Sequence, residues 1–246
     1  MSNRSVESVV VPTKNSESTI GKGLRSISEA KLMIYDMWEK NRDRAFFSML
    51  SCNPHAKVID LGCGNGAFSS LVKEKICCEK IWGVDLHDEG LDMARQRGVL
   101  VTKSDLNVRL PVEMNSFDVV VSNQVIEHLF YPIRFMKEIY RILKLGGYAV
   151  VSTENLASWD NIGALIFGNT PFSMDCEKHA CLKDGYNYFS HVGVFAWNGL
   201  IVLARTLSFD VENVVGNGHI LGRIGEIVDR KHSRFITLKL RKVSAN

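Results

Sequence analysis

The sequence predicts an α/β fold in which helices wrap a mostly parallel sheet. Short apolar segments of strand length alternate with helical segments throughout residues 56–153, which is the pattern of a parallel sheet. The segment 117–122 is apolar on both faces, as expected for a strand covered on each side. Right-handed crossovers would then place the carboxyl ends of the strands along one edge, where such sheets bind ligands.

The elements of this core follow in order. A helical stripe of apolar residues runs from Leu24 to Leu50 and ends before Pro54, which cannot continue a helix. Strands are predicted at 57–61, 80–85, 99–101, 117–122 and 148–152, and helices at 67–76, at 89–97 and from Pro132 onward. Asp88 is predicted to cap the 89–97 helix. Gly146 and Gly147 are predicted to end the helix that begins at Pro132, whose expected buried stripe is Ile133, Met136, Tyr140 and Leu143.

The last third of the chain has a different pattern. Residues 154–195 are irregular and rich in aromatic side chains, a composition that favours a lid or binding loop over plain core. A helix is predicted at 197–205, and period-two alternation predicts strands around 207–212 and 236–241. The basic residues in 230–234 and at Lys239, Arg241 and Lys242 are predicted to be solvated and to protect a sheet edge. An RNA-binding patch is the alternative, but no interleaved aromatic residues support it.

Composition limits the classes of partner. The formal net charge of +3 over 246 residues gives no support for a polyanionic partner such as nucleic acid, and no apolar run has membrane-spanning length. We therefore expect no membrane partner. Residues 1–22 are predicted to form a mobile tail without an export signal, so we expect a cytoplasmic protein whose six cysteines are reduced thiols.

The first predicted strand leads into a glycine turn, Gly62-Cys63-Gly64-Asn65-Gly66, directly after Asp60. Glycines at alternate positions let the backbone turn sharply and approach a ligand without a Cβ in the way. In the dinucleotide fingerprint the third glycine comes one residue later and the turn receives a pyrophosphate. A carboxylate before the turn would repel a pyrophosphate, but it suits a phosphate-free ligand that carries an ammonium group, and S-adenosylmethionine (SAM) fits that description.

Two further carboxylates follow successive strands. Asp85 ends the second strand, where an acidic side chain can accept both hydroxyls of a ribose. Asp105 follows the third strand, where it can accept a hydrogen bond from an exocyclic amine such as that of adenine. Either residue alone could be a solvated loop residue, but three acidic residues at successive strand ends favour a binding site.

The ordered motifs VIDLGCGNG, GVDL, KSDLNVRLP, NSFDVVVSNQVIEHL and RILKLGGYAVVS resemble those of class I SAM-dependent methyltransferases, and most resemble the type 11, small-molecule group. The resemblance covers residues 55–153. It implies a Rossmann-like, doubly wound, mostly parallel seven-stranded sheet that closes with a C-terminal antiparallel hairpin. It also implies one methyltransferase domain over 1–246, with a helical cap at 23–54, a SAM-binding core at 55–153, an acceptor-pocket insert at 154–200 and a closing helix and strands at 201–246.

The resemblance also implies a role for each residue of the cofactor site. The methionine end of SAM would lie along Asp60 and the turn, its ribose on Asp85, its adenine between Leu86 and Asp105 with the Leu106 backbone, and its sulfonium near Asn123 and Gln124. The full set of expected cofactor-binding residues is Asp60, Gly62, Cys63, Gly64, Gly66, Asp85, Leu86, Asp105, Leu106, Asn123 and Gln124.

Two histidines are candidates for a general base, which a hydroxyl acceptor would need. His128 follows the fourth strand near the expected sulfonium, and His191 lies in the aromatic insert. His128 could instead only shape the pocket floor. Relatives with an E-x-x-E-H loop bind a divalent metal there, but Gln124 replaces the first Glu, so no metal is expected. A zinc site at Cys176, His179 and Cys181 is also not expected, because the spacing fits no common zinc motif.

The sequence thus predicts methyl transfer from SAM to a small or medium-sized acceptor, with oxygen favoured over nitrogen or carbon. Because in-line transfer depends chiefly on alignment and exclusion of water, the motifs do not require a strong base. An RNA or protein methyltransferase and a non-catalytic SAM-binding protein remain alternatives, since intact motifs indicate binding only.

Overall fold

The computed structural model describes residues 42–174, 191–219 and 221–244. The predicted tail and most of the predicted helical cap lie outside these ranges, as do Cys176, His179 and Cys181, where no zinc site is expected. Of the cap, the described helical part is residues 42–48 (α1). No helix among the described residues has the length and apolar character needed to span a bilayer.

Strands and helices alternate through the first part of the described chain as the sequence predicts. The elements are β1 (Val58–Leu61), α2 (Ala67–Ile76), β2 (Ile81–Asp85), α3 (Asp88–Gln96), β3 (Leu100–Lys103), β4 (Phe117–Asn123), α4 (Pro132–Ile142) and β5 (Leu143–Glu154). The later elements are α5 (Trp159–Ile166), α6 (Trp197–Thr206), β6 (Phe209–Asn217), α7 (Gly222–Val228) and β7 (Phe235–Lys242). Single 3-10 turns occupy Ile126–His128, Phe172–Met174 and Arg230–His232. Helix α5 lies where the sequence predicts irregular chain.

The strands form one seven-stranded sheet in the order β3-β2-β1-β4-β5-β7-β6. Strands β1 to β5 pair in parallel, and β7 runs antiparallel between β5 and β6. The predicted Rossmann-like class, with its reversed pair of last strands, is therefore confirmed. The order reverses between β1 and β4, so the carboxyl ends of these two strands flank the crevice where doubly wound sheets bind ligands.

The sheet has an apolar layer on each face. Ile59 and Leu61 of β1 pack with Val120 of β4 into one buried cluster, while Val58 and Val119 belong to the cluster on the opposite face. Alternate residues of a strand point to opposite faces, so a strand apolar at every position serves both layers. The prediction that the fourth strand is covered on both sides is confirmed.

Two predicted helix boundaries are wrong. Asp88 is the first residue of α3 and makes no cap hydrogen bond; its carboxylate pairs with Lys103 Nζ at 2.5 Å. Helix α4 ends at Ile142, and the Gly146-Gly147 pair lies inside β5. A Cβ on Gly147 would lie 2.9 Å from the Asp118 carbonyl oxygen, so this glycine permits close pairing of strands instead of ending a helix.

The predicted buried stripe of α4 is wrong at Ile133, which is 54% exposed. The buried residues of this helix include Phe135, Met136 and Ile139. The buried stripe of α4 therefore begins at Phe135 instead of Ile133.

The prediction that all six cysteines are reduced is wrong for one pair. Cys52 and Cys77 form a disulfide, with their Cα atoms 5.3 Å apart. Cys77 takes a left-handed conformation just after α2, and the Asn53 N–H donates to the Ile76 carbonyl, which brings the two segments together. The sequence separation of 25 residues gave no sign of this contact. Cys63 and Cys78 are free thiols.

The basic residues near β7 are not all solvated. Because β7 is an inner strand, Lys242 is only 5% exposed, and its Nζ donates to Asn115 Oδ1, the Tyr140 carbonyl and the Leu143 carbonyl. Burial lowers the pKa of Lys242. Arg234 is also 5% exposed and forms an ion pair with Asp160. The predicted role of these residues at a sheet edge is therefore wrong.

Candidate functional site

The glycine turn after β1 leaves an open cradle at its centre. Gly62, Gly64 and Gly66 all have positive φ, at 85°, 49° and 77°. A Cβ on Gly62 would lie 2.4 Å from a methyl group of Val125, and one on Gly66 would lie 2.8 Å from the Ala94 Cα. A Cβ on Gly64 would meet no atom within 4 Å. The outer glycines therefore let neighbouring segments pack closely, while Gly64 borders space that a ligand can fill.

Asp85 at the end of β2 holds this turn through backbone hydrogen bonds. Its Oδ2 accepts from the Gly64 N–H at 2.8 Å, and its Oδ1 accepts from the N–H groups of Leu86 at 2.7 Å and His87 at 3.1 Å. Each carboxylate oxygen has two lone pairs, so Oδ2 keeps acceptor capacity beside the cradle. Asp85 therefore holds the turn, a role that the sequence did not indicate, while its contact with the ribose stays a prediction.

Asp60 lies under the turn. It is 2% exposed, and its Oδ2 accepts a hydrogen bond from Ser69 Oγ at 2.6 Å. Burial raises the pKa of Asp60 to about 7, the hydrogen bond from Ser69 lowers it, and the nearby Asp85 carboxylate raises it further. A cationic group at the cradle would stabilise the ionised form, which is the property expected of a residue that faces the ammonium end of SAM.

Cys63 and Leu86 contribute in different ways. The Cys63 side chain is turned toward β2, where a Cβ on Gly83 would lie 2.7 Å from its Sγ, so only the Cys63 backbone faces the cradle. Burial raises the pKa of this thiol to about 12, which keeps it protonated and unreactive. Leu86 is 49% exposed, so its side chain is accessible to the expected adenine ring.

The loop after β3 is fixed by Asn107. Asp105 Oδ1 accepts from the Asn107 backbone N–H at 2.8 Å and from its Nδ2 at 2.9 Å. Asn107 Oδ1 in turn accepts from the N–H groups of Phe130 and Tyr131, at 2.8 Å and 3.2 Å. Leu106 between them is buried. Asn107 therefore connects the expected adenine side of the site to the loop after β4.

The loop after β4 starts at a strained residue. Gln124 has φ of 57°, a conformation that costs a non-glycine residue roughly 1–2 kcal/mol. Its N–H donates to the Ser152 carbonyl at 3.1 Å, and Ser152 Oγ donates to Asn123 Oδ1 at 2.5 Å. With its amide nitrogen toward Glu127, Gln124 donates to Glu127 Oε1 at 3.2 Å and accepts from the Thr153 N–H at 3.2 Å. The ends of β4 and β5 are thus joined where the sulfonium is expected.

Glu127 is the most deeply buried carboxyl group of this loop. It is 1% exposed, and its Oε2 accepts from Thr153 Oγ1 at 3.0 Å. Burial raises its pKa to about 8, against the effect of its hydrogen bonds. Its backbone carbonyl accepts from the N–H groups of Val192 and Gly193, at 2.9 Å and 3.0 Å. Glu127 therefore supports both the loop after β4 and the segment that follows residue 190.

The two predicted histidines lie side by side. The rings of His128 and His191 meet edge to face, with centroids 4.7 Å apart. His191 Nδ1 lies 2.6 Å from the Ser173 carbonyl oxygen. A carbonyl can only accept, so Nδ1 carries a proton and the basic lone pair is on Nε2. Glu154 Oε2 lies 3.7 Å from the same Nδ1. The structure thus brings together the residues predicted separately and gives His191 the oriented tautomer that a general base needs.

Glu127, His128 and His191 also form a group that could hold a metal ion, since one ligand atom of each lies within 4.8 Å of the others. The oxygens of Glu127 already accept hydrogen bonds from Thr153 and Gln124, and an amide stands where a second carboxylate would add charge. The expectation of a metal-free site stays a prediction.

Several residues that support the site were not predicted from the sequence. Ser69, Asn107 and Ser152 are ordinary polar residues whose partners lie on other elements. Ser69 follows Asp60 by nine positions, which places it on the third residue of α2, above the end of β1. That spacing could have indicated the contact, since a helix that follows a strand begins at the strand's carboxyl end.

We predict that Glu127→Gln makes the ligand-free protein more stable than the natural protein, by a difference in unfolding free energy that grows as pH rises. Between about pH 4.5 and pH 8 the unfolded carboxyl is ionised while the folded one keeps its proton. The folded state then binds more protons, so the unfolding free energy of the natural protein falls as pH rises through this range. A shift of this size corresponds to a few kcal/mol, at about 1.4 kcal/mol per pH unit.

Urea unfolding of both proteins across this pH range measures the effect. The variant should match the natural protein near pH 4.5 and exceed it in unfolding free energy near pH 8. Asp60→Asn is the control for the second raised carboxyl, with an effect complete by about pH 7. A stability difference that does not change with pH would contradict the assignment.

The comparisons with known proteins agree with this geometry. Residues 59–151 match the type 11 methyltransferase family, in its methyltransferase domain. A malonyl-[acyl-carrier protein] O-methyltransferase of Marinomonas sp. (strain MWYL1) is 31% identical over 136 residues, which are 54% of this chain and 48% of that protein. A mitochondrial ubiquinone biosynthesis O-methyltransferase of Candida albicans is 31% identical over 112 residues, which are 42% of this chain and 34% of that protein. The chain therefore spans half or less of the length of these relatives.

Among solved structures, a SAM-dependent methyltransferase from Thermotoga maritima superposes with a TM-score of 0.62 at 23% identity, covering 88% of this chain and 95% of that one. At this identity the likeness shows the fold. The family match covers both the glycine turn and the loop that holds His128. Residues 59–151 are a methyltransferase domain of the type 11 family, and the sheet that carries them has the fold of SAM-dependent methyltransferases.

Proposed function

We propose that this chain methylates a hydroxyl group of a small or medium-sized acceptor. The observation that carries the proposal is His191, whose Nδ1–H is fixed on the Ser173 carbonyl so that Nε2 is its basic atom. A base of this kind serves an oxygen nucleophile, which must lose its proton as the methyl group arrives. Two of the similar proteins are O-methyltransferases by name.

The residues around the cradle fit the cofactor. The open space at Gly64, the remaining acceptor capacity of Asp85 and the buried carboxyl of Asp60 would hold the amino-acid and ribose parts of SAM. When bound, SAM supplies a methyl group on a positively charged sulfur. The chain would contribute alignment through the joined ends of β4 and β5 and would hold Asn123 and Gln124 near that sulfur.

The proton would leave the acceptor through His191. The Ser173 carbonyl accepts from Nδ1–H and keeps the ring in one tautomer, and Glu154 Oε2 lies 3.7 Å from the same nitrogen. Glu154 Oε1 lies 3.8 Å from Arg234 Nη2, and Arg234 pairs with Asp160 on α5. His128, in contact with the His191 ring, would form a wall of the acceptor pocket together with the insert at 154–200.

Labelled cofactor can test this function directly. The protein is incubated with ¹³C-methyl SAM and a cell extract divided by size, and the label is followed by carbon NMR. Label in the low-mass fraction at the chemical shift of an O-methyl carbon supports the proposal. Label in RNA or protein supports the macromolecular alternative. Heat of SAM binding by calorimetry without any incorporated label supports a binding protein without catalysis.

We predict that removal of divalent cations leaves SAM affinity and turnover unchanged. Glu127 keeps its proton up to about pH 8, and its oxygens are held by Thr153 and Gln124. Dialysis against a chelator followed by the labelled-cofactor assay measures this. Loss of activity that returns on adding Mg²⁺ or Zn²⁺ would show that the cluster with His128 and His191 binds a metal.

A further inference from the structure

Helix α7 presents its apolar residues to solvent. Leu221, Ile224, Ile227 and Val228 are 69%, 73%, 80% and 80% exposed. They recur at intervals of three and four residues, which places them on one stripe of the helix. In a globular domain such a stripe normally faces the core, so α7 has the opposite orientation from an ordinary surface helix.

The opposite side of α7 packs through a glycine and polar groups. A Cβ on Gly225 would lie 1.8 Å from His219 Nδ1, so only glycine permits this contact. Glu226 Oε1 accepts from the Gly218 N–H at 2.8 Å. These contacts fix the rotation of the helix, so its apolar stripe lies on the exposed side.

The charges divide in the same way. Both acidic residues near α7 are paired with neighbouring groups: Glu226 accepts from the Gly218 N–H, and Asp229 accepts from Trp159 Nε1 at 2.7 Å and lies 2.6 Å from His232 Nδ1. The basic residues Arg223, Arg230 and Lys231 are exposed. The outward surface therefore combines four aliphatic side chains with cationic groups.

We propose that this α7 surface, formed by Leu221, Ile224, Ile227, Val228 and the three exposed basic residues, docks on an anionic lipid surface. The aliphatic stripe would enter the boundary between headgroups and acyl chains, and the basic groups would lie level with lipid phosphates. A membrane surface needs no shape complementary to a short convex helix. A protein partner would, and the stripe lacks the aromatic side chains that anchor most protein interfaces.

The docking surface is close to the candidate site. Asn155, just after β5, donates through Nδ2 to the carbonyls of Lys231 at 2.8 Å and Ser233 at 2.7 Å. The segment that follows α7 is thereby tied to the edge of the sheet that carries the site. Docking would bring this edge of the sheet to the lipid surface. From the sequence we expected no membrane partner, so this role was not predicted. The proposal does not depend on which atom is methylated.

Vesicle flotation tests the proposal with phosphatidylcholine alone and with phosphatidylcholine mixed with phosphatidylglycerol. The full chain should bind the anionic vesicles more tightly, by about fivefold for each basic residue at the surface, and salt should weaken the binding. Ile227→Glu should reduce the partition coefficient by about tenfold or more, because it removes one inserted side chain and adds a negative charge.

Leu71→Glu is the matched control, since Leu71 is a 50% exposed aliphatic residue on α2. It should leave vesicle binding unchanged. Three results would overturn the proposal: equal binding to both vesicle types, an equal loss of vesicle binding in the Leu71 variant, or no loss of binding in the Ile227 variant. So would a dimer in sedimentation equilibrium that Ile227→Glu dissolves, or a lowered unfolding midpoint in that variant, because a second copy or the chain itself would then cover the stripe.

Discussion

Replacing Gly64 by alanine is expected to abolish measurable SAM binding while lowering the unfolding free energy by only about 1–2 kcal/mol. The stability cost comes from φ of 49°, since a Cβ there would meet no atom of the ligand-free protein within 4 Å. The same Cβ would stand in the cradle beside the Asp85 carboxylate, where the cofactor must approach the backbone. The substitution therefore distinguishes an effect on SAM binding from an effect on the packing of the protein.

Gly98 provides the matched control for this experiment. Its φ is 79°, and a Cβ there would also meet no atom within 4 Å, but it follows α3 and lies outside the turn. Gly98→Ala should show a similar stability cost with normal SAM affinity. Gly66→Ala should be the least stable of the three, because its Cβ would lie 2.8 Å from the Ala94 Cα. Calorimetric titration with SAM and urea unfolding measure both quantities. Normal SAM affinity in the Gly64 variant would show that the cofactor does not bind at the turn.

The parts of the fold that repeat a simple period were predictable from the sequence. Strands such as β1 and β4 are apolar at successive positions and are bounded by turn residues, so local pattern and tertiary environment agree. The glycine turn was predictable for the same reason, because positive φ at alternate positions allows few residues other than glycine. These features are local, and each needs only a few neighbouring residues to specify it.

Features that depend on distant partners were not predictable in this way. Lys242 reads as a solvated residue, yet its ammonium group is held by carbonyls about a hundred positions earlier in the chain. The disulfide at Cys52 depends on the left-handed turn after α2. Helix α7 has a correct helical period, but nothing in a period shows which side faces the core. The tautomer of His191 likewise depends on a carbonyl eighteen residues away.

His191→Gln is expected to lower the turnover number by roughly a hundredfold or more, within the range typical of a lost general base. Affinity for SAM should not change, because His191 contacts the Ser173 carbonyl and the His128 ring and not the glycine turn. Glutamine can still donate to the carbonyl, so the fold of the segment should survive while the proton acceptor is lost. The labelled-cofactor assay gives the turnover number, and calorimetry gives the affinity.

The pH profile distinguishes a base from a residue that only shapes the pocket. If His191 takes the proton, the natural enzyme should lose activity as pH falls and the ring becomes charged, and the variant should lack this decrease. His128→Gln should cost less turnover and keep the pH dependence. An unchanged pH profile in the His191 variant would show that His191 is not the base. Loss of the pH dependence in the His128 variant would assign the role of base to His128.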